Sequence, residues 1–258
     1  MGDFLDVLVK DSKRMVECGY YNVDRVVEHE EHSLMKSILR CKGNPIIAEI
    51  KLSSPSRNTP LRDIDVVYAA SVMRKGNAVG ISVLTEPNHF KGSLSNFMLI
   101  RENTPLPLLM KDFIVSQVQV DVASKIGADA ILLIQALFDR SYCNRNLNEM
   151  IEYAHSHNME VLLETHNEDE FRRAVSSDAD LIGINNRDLR DLSVNLHVTE
   201  EILKHHSGHD RIIVTESGIK SPTHVHFLKE AGAHAFLVGT AIMSAHDIEE
   251  KVRELTEA

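Results

Sequence analysis

An α/β fold, a (β/α)8 TIM barrel with an N-terminal helical extension, is what this sequence predicts, on three features of its 258 residues. Short β-rich apolar runs recur eight times along the chain. Each is followed by a segment long enough for a helix, and strands that alternate with helices pair in parallel through right-handed crossovers. Most of the runs end on charged or polar residues, at the place where barrels of this kind carry their chemistry.

Residues 1–44 come first, and DFLDVLVKDSKRMVE and EHSLMKSIL within them read as helices. They form an extension ahead of a barrel at 45–258, the whole being one domain, since no Gly-, Pro- or Ser-rich linker interrupts the chain. Such helices suit either the bottom of the barrel or its top. The eight runs are IIAEI (46–50), VGISVL (79–84), LPLLMK (106–111), AILLI (130–134), EVLLE (160–164), LIGIN (181–185), RIIVTE (211–216) and AFLVG (235–239). Between them, SQVQVDVASKIGA places Val118, Val122 and Ile126 on one helical stripe, and THVHFLKEAGA does the same with Val225, Leu228 and Ala231. Both close on a glycine, Gly127 and Gly232, as helix C-termini do.

Composition narrows the function. The chain is 43% hydrophobic and 26% charged, the profile of an ordinary globular enzyme. With 28 Lys and Arg against 38 Asp and Glu, its formal charge of −10 opposes nucleic acid as a partner, and no local basic patch reverses that. Three widely spaced cysteines, Cys18, Cys41 and Cys143, fit a reducing compartment better than a disulfide framework. No run approaches the roughly 18 apolar residues of a membrane span, and the N-terminal charges come too early for a signal sequence. A cytoplasmic location is the expectation.

The first strand poses the chemical question. Side chains alternate along a strand, so Ile47, Glu49 and Lys51 share one face and Ile46, Ala48 and Ile50 the other. Buried charges cost several kcal/mol unless paired, which makes Glu49 and Lys51 natural partners. Other strands end on Lys111, Glu164, Asn185 and Glu216, and these groups converge on one mouth if the barrel closes. After strands seven and eight, ESGIKSP and LVGTAIM place Ser217, Gly218, Gly239 and Thr240 where this fold usually holds a phosphate. The 14 histidines read as solvated surface, because none of their groupings has converging ligand positions.

Seven segments, IIAEIKLSSPS, GISVLTEPNHFKGS, PLLMKDFIVSQVQVDVASKIGADAILLI, LLETHNEDEF, IGINNRDL, TESGIKSP and FLVGTAIM, run in one order from about 46 to 245. In them the chain resembles the indole-3-glycerol phosphate synthase family, the ring-closing enzymes of tryptophan biosynthesis. The resemblance implies a small phosphorylated substrate, 1-(2-carboxyphenylamino)-1-deoxyribulose 5-phosphate, which closes a pyrrole ring with loss of carbon dioxide and water. It implies no metal and no organic cofactor, and it leaves room for loose association with other enzymes of that pathway.

By the same resemblance Lys111 is the acid at the ketone oxygen and Glu49 the base, with Glu164 or Lys51 supplying the proton for dehydration. Asn185 holds polar groups of the ring-closed intermediate, Ser54 and Lys51 contact anionic groups, and Phe113 walls the aromatic ring. Arg187 either braces the loop by Asn185 or pairs with an acid such as Glu216, which then has a structural role. Ser217, Gly218, Gly239 and Thr240 hold the phosphate. Two departures from the family pattern stand out. The loop SPSRNTP lacks the usual glycine, and Thr240 replaces a common serine while keeping the hydroxyl.

Overall fold

A computed structural model describes residues 3–53, 64–206 and 210–258 of the chain. The apolar runs become strands β1 (Ile46–Ile50), β2 (Gly80–Leu84), β3 (Leu108–Lys111), β4 (Ala130–Ile134), β5 (Glu160–Thr165), β6 (Leu181–Asn185), β7 (Ile212–Glu216) and β8 (Ala235–Val238). Each pairs in parallel with the next, and β8 returns to β1 to close the barrel. The third strand starts two residues later than its apolar run because Pro107, just before it, has no N–H to give the ladder.

Helices fill the connections: α1 (Phe4–Glu17) and α2 (Leu34–Arg40) in the extension, then α3 (Val66–Lys75), α4 (Leu94–Asn103), α5 (Gln117–Lys125), α6 (Gln135–Asp139), α7 (Leu147–Ser156), α8 (Glu168–Val175), α9 (His197–His205), α10 (Pro222–Glu230), α11 (Thr240–Met243) and α12 (Ile248–Thr256). Their starts are chemically marked. Ser116 and Gln119 form a reciprocal cap on α5, Asn146 and Glu149 on α7, and Asp3 and Asp6 on α1. The stripe expected on α5 is shifted: Val118 is 38% exposed, whereas Val120, Val122, Ala123 and Ile126 are buried. Val118 lies in the first turn, where the cap and not the core fixes the chain.

Strand alternation divides the interior in two. Ile46, Ala48, Ile50, Met110, Leu163 and Ile184 face the helical shell, while Ile47, Leu109, Leu132, Leu162, Val214 and Leu237 fill the barrel. Continuing the inward set toward the strand ends gives Glu49, Lys111, Glu164 and Glu216. The barrel's lower part is therefore apolar and its upper part ionic.

The extension serves both ends of the barrel. Leu34 of α2 is fully buried among the inward-facing residues, and the space it occupies exists because Gly80 has no side chain: a Cβ there would lie 2.5 Å from Leu34 Cδ1. Glu160, at the start of β5, accepts hydrogen bonds from the Ser33 hydroxyl and from the Met35 N–H at 3.0 Å, so α2 is fastened to the strand N-termini. At the opposite end, Ser12 of α1 donates to the Phe113 carbonyl at 2.6 Å, and Tyr21 donates to Asp112 at 2.9 Å. The segment just after β3 is thus held from the N-terminal side. No helix among the described residues is long and apolar enough to cross a membrane.

Candidate active site

Parallel strands with a common register deliver their C-terminal residues to one rim, and here that rim surrounds a cavity of about 860 Å³. Glu49, Lys51, Lys111, Phe113, Glu164, Asn185, Arg187, Glu216, Ser217, Gly218, Gly239 and Thr240 all line it. Ser54, expected among them, lies outside the described residues, as does the glycine-free loop that follows. Phe4 and Leu8 of α1 complete the apolar wall beside Phe113, Leu132 and Ile134.

At the centre is the Lys111 ammonium, 2.5 Å from Glu216 Oε2 and 3.1 Å from Glu164 Oε2. Burial alone would lower the Lys111 pKa, but Glu216, Glu164 and Glu49 outweigh it and raise the pKa well above the usual lysine range. Two of its three N–H bonds point to carboxylates, and the third has no partner among the described residues. Burial raises Glu164 too, yet Lys111 on one oxygen and His166 near the other bring it well below the usual carboxylate range. Among the described residues Glu216 has no second cation within ion-pair distance. Burial, with Glu164 and Glu49 nearby, pushes it up to about 7 against the pull of Lys111.

Lys51 Nζ lies 2.9 Å from Glu49 Oε1, the compensating pair that their shared strand face requires. Arg187 braces its own loop, donating to the Leu192 carbonyl at 2.8 Å while its N–H bonds Asn185 Oδ1 at 3.0 Å. The alternative of an Arg187–Glu216 pair is not found: Glu216 pairs with Lys111, and the Arg187 guanidinium is turned to its own loop. Burial depresses the Arg187 pKa, with Glu49 acting in the opposite direction.

The anion loops depend on backbone geometry. Ser217 and Gly218 are successive residues of positive φ, +66° and +83°, so the backbone curls tightly just after β7. Asn186 holds the curl: its side-chain amide donates to the Glu216 carbonyl at 3.0 Å and to the Ser217 carbonyl at 3.3 Å. At Gly239 the constraint is space. A Cβ there would stand 2.3 Å from Glu49 Oε1. Gly183 does the same for Glu216, whose Oε1 would be 2.7 Å from an added Cβ.

A match to the family model described as indole-3-glycerol phosphate synthase extends over residues 7–255, nearly the whole chain. The chain belongs to the indole-3-glycerol phosphate synthase family. Among its relatives, the indole-3-glycerol phosphate synthase of Methanocaldococcus jannaschii is 40% identical, with 97% of each chain covered. That of Acetivibrio thermocellus is 43% identical over 81% of this chain and 78% of its own, and that of Bacillus cereus is 35% identical over 96% of each. Among solved structures, the thiamine phosphate pyrophosphorylase from Pyrococcus furiosus superposes with a TM-score of 0.60 at 18% identity, covering 84% of this chain and 95% of that one. A 3-hexulose-6-phosphate synthase gives the same score at 16% identity, over 82% and 98%. These two likenesses show the barrel fold alone.

Several residues placed at this synthase-family site escape a sequence reading. His166 is not the surface histidine that the sequence suggests: it follows β5 by one residue and stands two positions after Glu164. The spacing of two from a strand-end acid was its one signal. Asn186 and Gly183 carry none, since they act through backbone they brace or room they leave. Asp112 is buried, which pushes its carboxyl up to about 6 against hydrogen bonds from Thr85, Tyr21 and the Phe113 N–H. Among the described residues, no group of three or more His, Cys, Asp or Glu is arranged to hold a metal ion.

Proposed function

We infer that this chain catalyses the ring closure of 1-(2-carboxyphenylamino)-1-deoxyribulose 5-phosphate to indole-3-glycerol phosphate, with release of carbon dioxide and water. Family membership supports the reaction. The observation that carries its placement in this chain is the Lys111 ammonium, held by two carboxylates with one N–H unpartnered among the described residues, in the same cavity as the two anion loops.

Attack of the aromatic ring on the ketone turns a carbonyl oxygen into an alkoxide, which needs a preorganised positive hydrogen-bond donor. In this reading Lys111 is that donor, through the N–H that neither glutamate uses. The Lys111 pKa is raised, yet an alkoxide is more basic than an amine, so proton transfer from the ammonium is still downhill. Carbon dioxide then leaves the ring carbon that attacked, and the electrons of the broken C–C bond neutralise the iminium and restore the six-membered aromatic ring. Dehydration requires an acid at the departing hydroxyl and a base at the ring.

Glu164 carries no proton in its resting ionised state, so Lys51 takes the acid's part and Glu49, its partner at 2.9 Å, the base's. Asn185 faces the intermediate's polar groups, and Phe113 packs on the aromatic ring. Arg187 offers a positive charge to the substrate's carboxylate, and Glu216 keeps Lys111 in place. The phosphate lies across Ser217, Gly218, Gly239 and Thr240. Residues 45–258 act as one barrel domain with 1–44 as its helical extension. A cytoplasmic location, and loose association with other enzymes of tryptophan biosynthesis, complete this reading.

Purified protein incubated with the anilino-deoxyribulose phosphate is expected to develop indole fluorescence together with one equivalent of carbon dioxide. Absence of both signals, with folded protein and authentic substrate, refutes the assignment.

A further inference from the structure

The imidazole of His166 bridges two carboxylates. Nε2 is 3.1 Å from Glu164 Oε1 and Nδ1 is 3.3 Å from Glu170 Oε2. Glu164 is in turn shared, since its other oxygen is 3.1 Å from Lys111 Nζ. The row Glu170, His166, Glu164, Lys111, Glu216 therefore alternates in charge when the imidazole carries its proton. Glu170 is fixed before it meets the ring: Oε2 accepts from the His166 N–H at 2.8 Å and Oε1 from Asn167 Nδ2 at 2.6 Å. His166 Nε2 is buried and lies off the axis of a full hydrogen bond to Glu164, with no other in-line acceptor among the described residues. His166 does not line the cavity, so any influence on the substrate passes through Glu164.

We propose that His166 is a positioning residue for the ring-closing reaction: anchored by Glu170, it holds the Glu164 carboxylate from its far oxygen and so keeps the near oxygen on Lys111. This rests on the reading that Lys111 and Glu164 act at the ring-closing step. The groups facing the imidazole are Glu164 from β5, Glu170 from α8 and, after β6, Asp188, which feels the imidazole's charge while bonded to Arg190. Burial opposes a charged ring, but Glu164 and Glu170 outweigh it and hold His166 up to about 9. The cation is then present at neutral pH, and the Glu164 carboxylate is clamped between two positive charges.

His166→Gln keeps a donor toward Glu164 but not the charge, and His166→Ala removes both. Expected are losses in kcat of about tenfold for the glutamine variant and about a hundredfold for alanine, the scale of a misplaced catalytic group, with KM within twofold. In the parent, kcat/KM declines as pH rises through about 9, when the imidazole loses its proton. In His166→Gln that alkaline limb disappears, and the acid limb moves to higher pH because one of the cations depressing Glu164 is gone. A glutamine profile that parallels the parent's at uniformly lower rate leaves His166 a merely structural residue and overturns the proposal; so does an unchanged rate.

Nitrogen-15 NMR of the parent keeps the test open if the variants fail to fold. Both His166 ring nitrogens are expected to stay protonated at pH 8, and a neutral ring at pH 7 sinks the idea. An inactive parent refutes the functional reading itself and with it this role, whereas an active parent with parallel profiles refutes this role alone.

Discussion

Lys111→Ala is expected to lower kcat by about 10²- to 10⁴-fold, the range for removing a positioned general acid, while substrate affinity falls much less. Two N–H groups of Lys111 go to Glu164 and Glu216, and the third, without a partner among the described residues, is the group available to the ketone oxygen. The same substitution takes the central cation from among Glu49, Glu164 and Glu216, all buried. Removing one member of a buried ion pair costs about 3–5 kcal/mol, so the variant is expected to unfold at distinctly lower urea concentration at pH 8.

The deficit has a direction with pH. Lys111 holds Glu164 below its ordinary pKa, so its stabilising contribution is complete above that ordinary value and is lost as pH falls through the depressed one. The gap between parent and variant should narrow as the medium is acidified through the carboxylate range. Single-turnover fluorescence at pH 8 measures the first effect, and urea titrations at pH 8 and pH 3, on either side of the ordinary carboxylate range, measure the second. Near-parental kcat removes Lys111 from its role, and a pH-independent stability gap removes the carboxylate account.

Gly239→Ala is expected to cost about a hundredfold in kcat, an effect large for one methyl group. The backbone at Gly239, φ −112° and ψ −69°, is open to any residue, so conformational strain is not the cause. Space is. The new Cβ would lie 2.3 Å from Glu49 Oε1 and 3.1 Å from Glu49 Cβ, and Glu49 is tied to Lys51 at 2.9 Å. The methyl group must displace the carboxylate, and a shift of about 1 Å in a catalytic group costs on the order of 10²-fold. Since the contact carries the effect, Glu49→Ala added to Gly239→Ala should lower kcat little beyond Glu49→Ala alone. Additive losses in that double-mutant cycle contradict the contact as cause.

Period-two alternation made most of this legible from residues alone. IIAEI and LIGIN are strands over the stated residues, and the polar ends of β1, β3, β5, β6 and β7 reach one cavity because inward-facing residues differ by two. The Glu49–Lys51 pair followed from the cost of burying a charge on a shared face. What stayed hidden depends on contacts distant in sequence. Nothing local tells that Leu34 plugs the barrel floor while Leu8, on the preceding helix, reaches its mouth, since both helices are simply amphipathic. Between the two alternatives for Arg187 no local signal chooses: the guanidinium meets the Leu192 carbonyl of its own loop, while Glu216 pairs with Lys111, 105 residues before it. His166 was hidden by its company, one histidine among 14, and only the positions of Glu164 and Glu170 distinguish it.

One phosphorylated substrate is expected to span the cavity from the anion loops to the Lys111 cluster. A crystal structure of the protein with indole-3-glycerol phosphate bound tests it most directly. The phosphate is expected within hydrogen-bond distance of the Gly218 and Gly239 N–H groups, with the indole ring about 4 Å from Phe113, the ordinary distance of apolar contact, and near the Lys111 ammonium. A phosphate bound away from the 217–218 and 239–240 segments, or an indole ring outside the cavity, contradicts it.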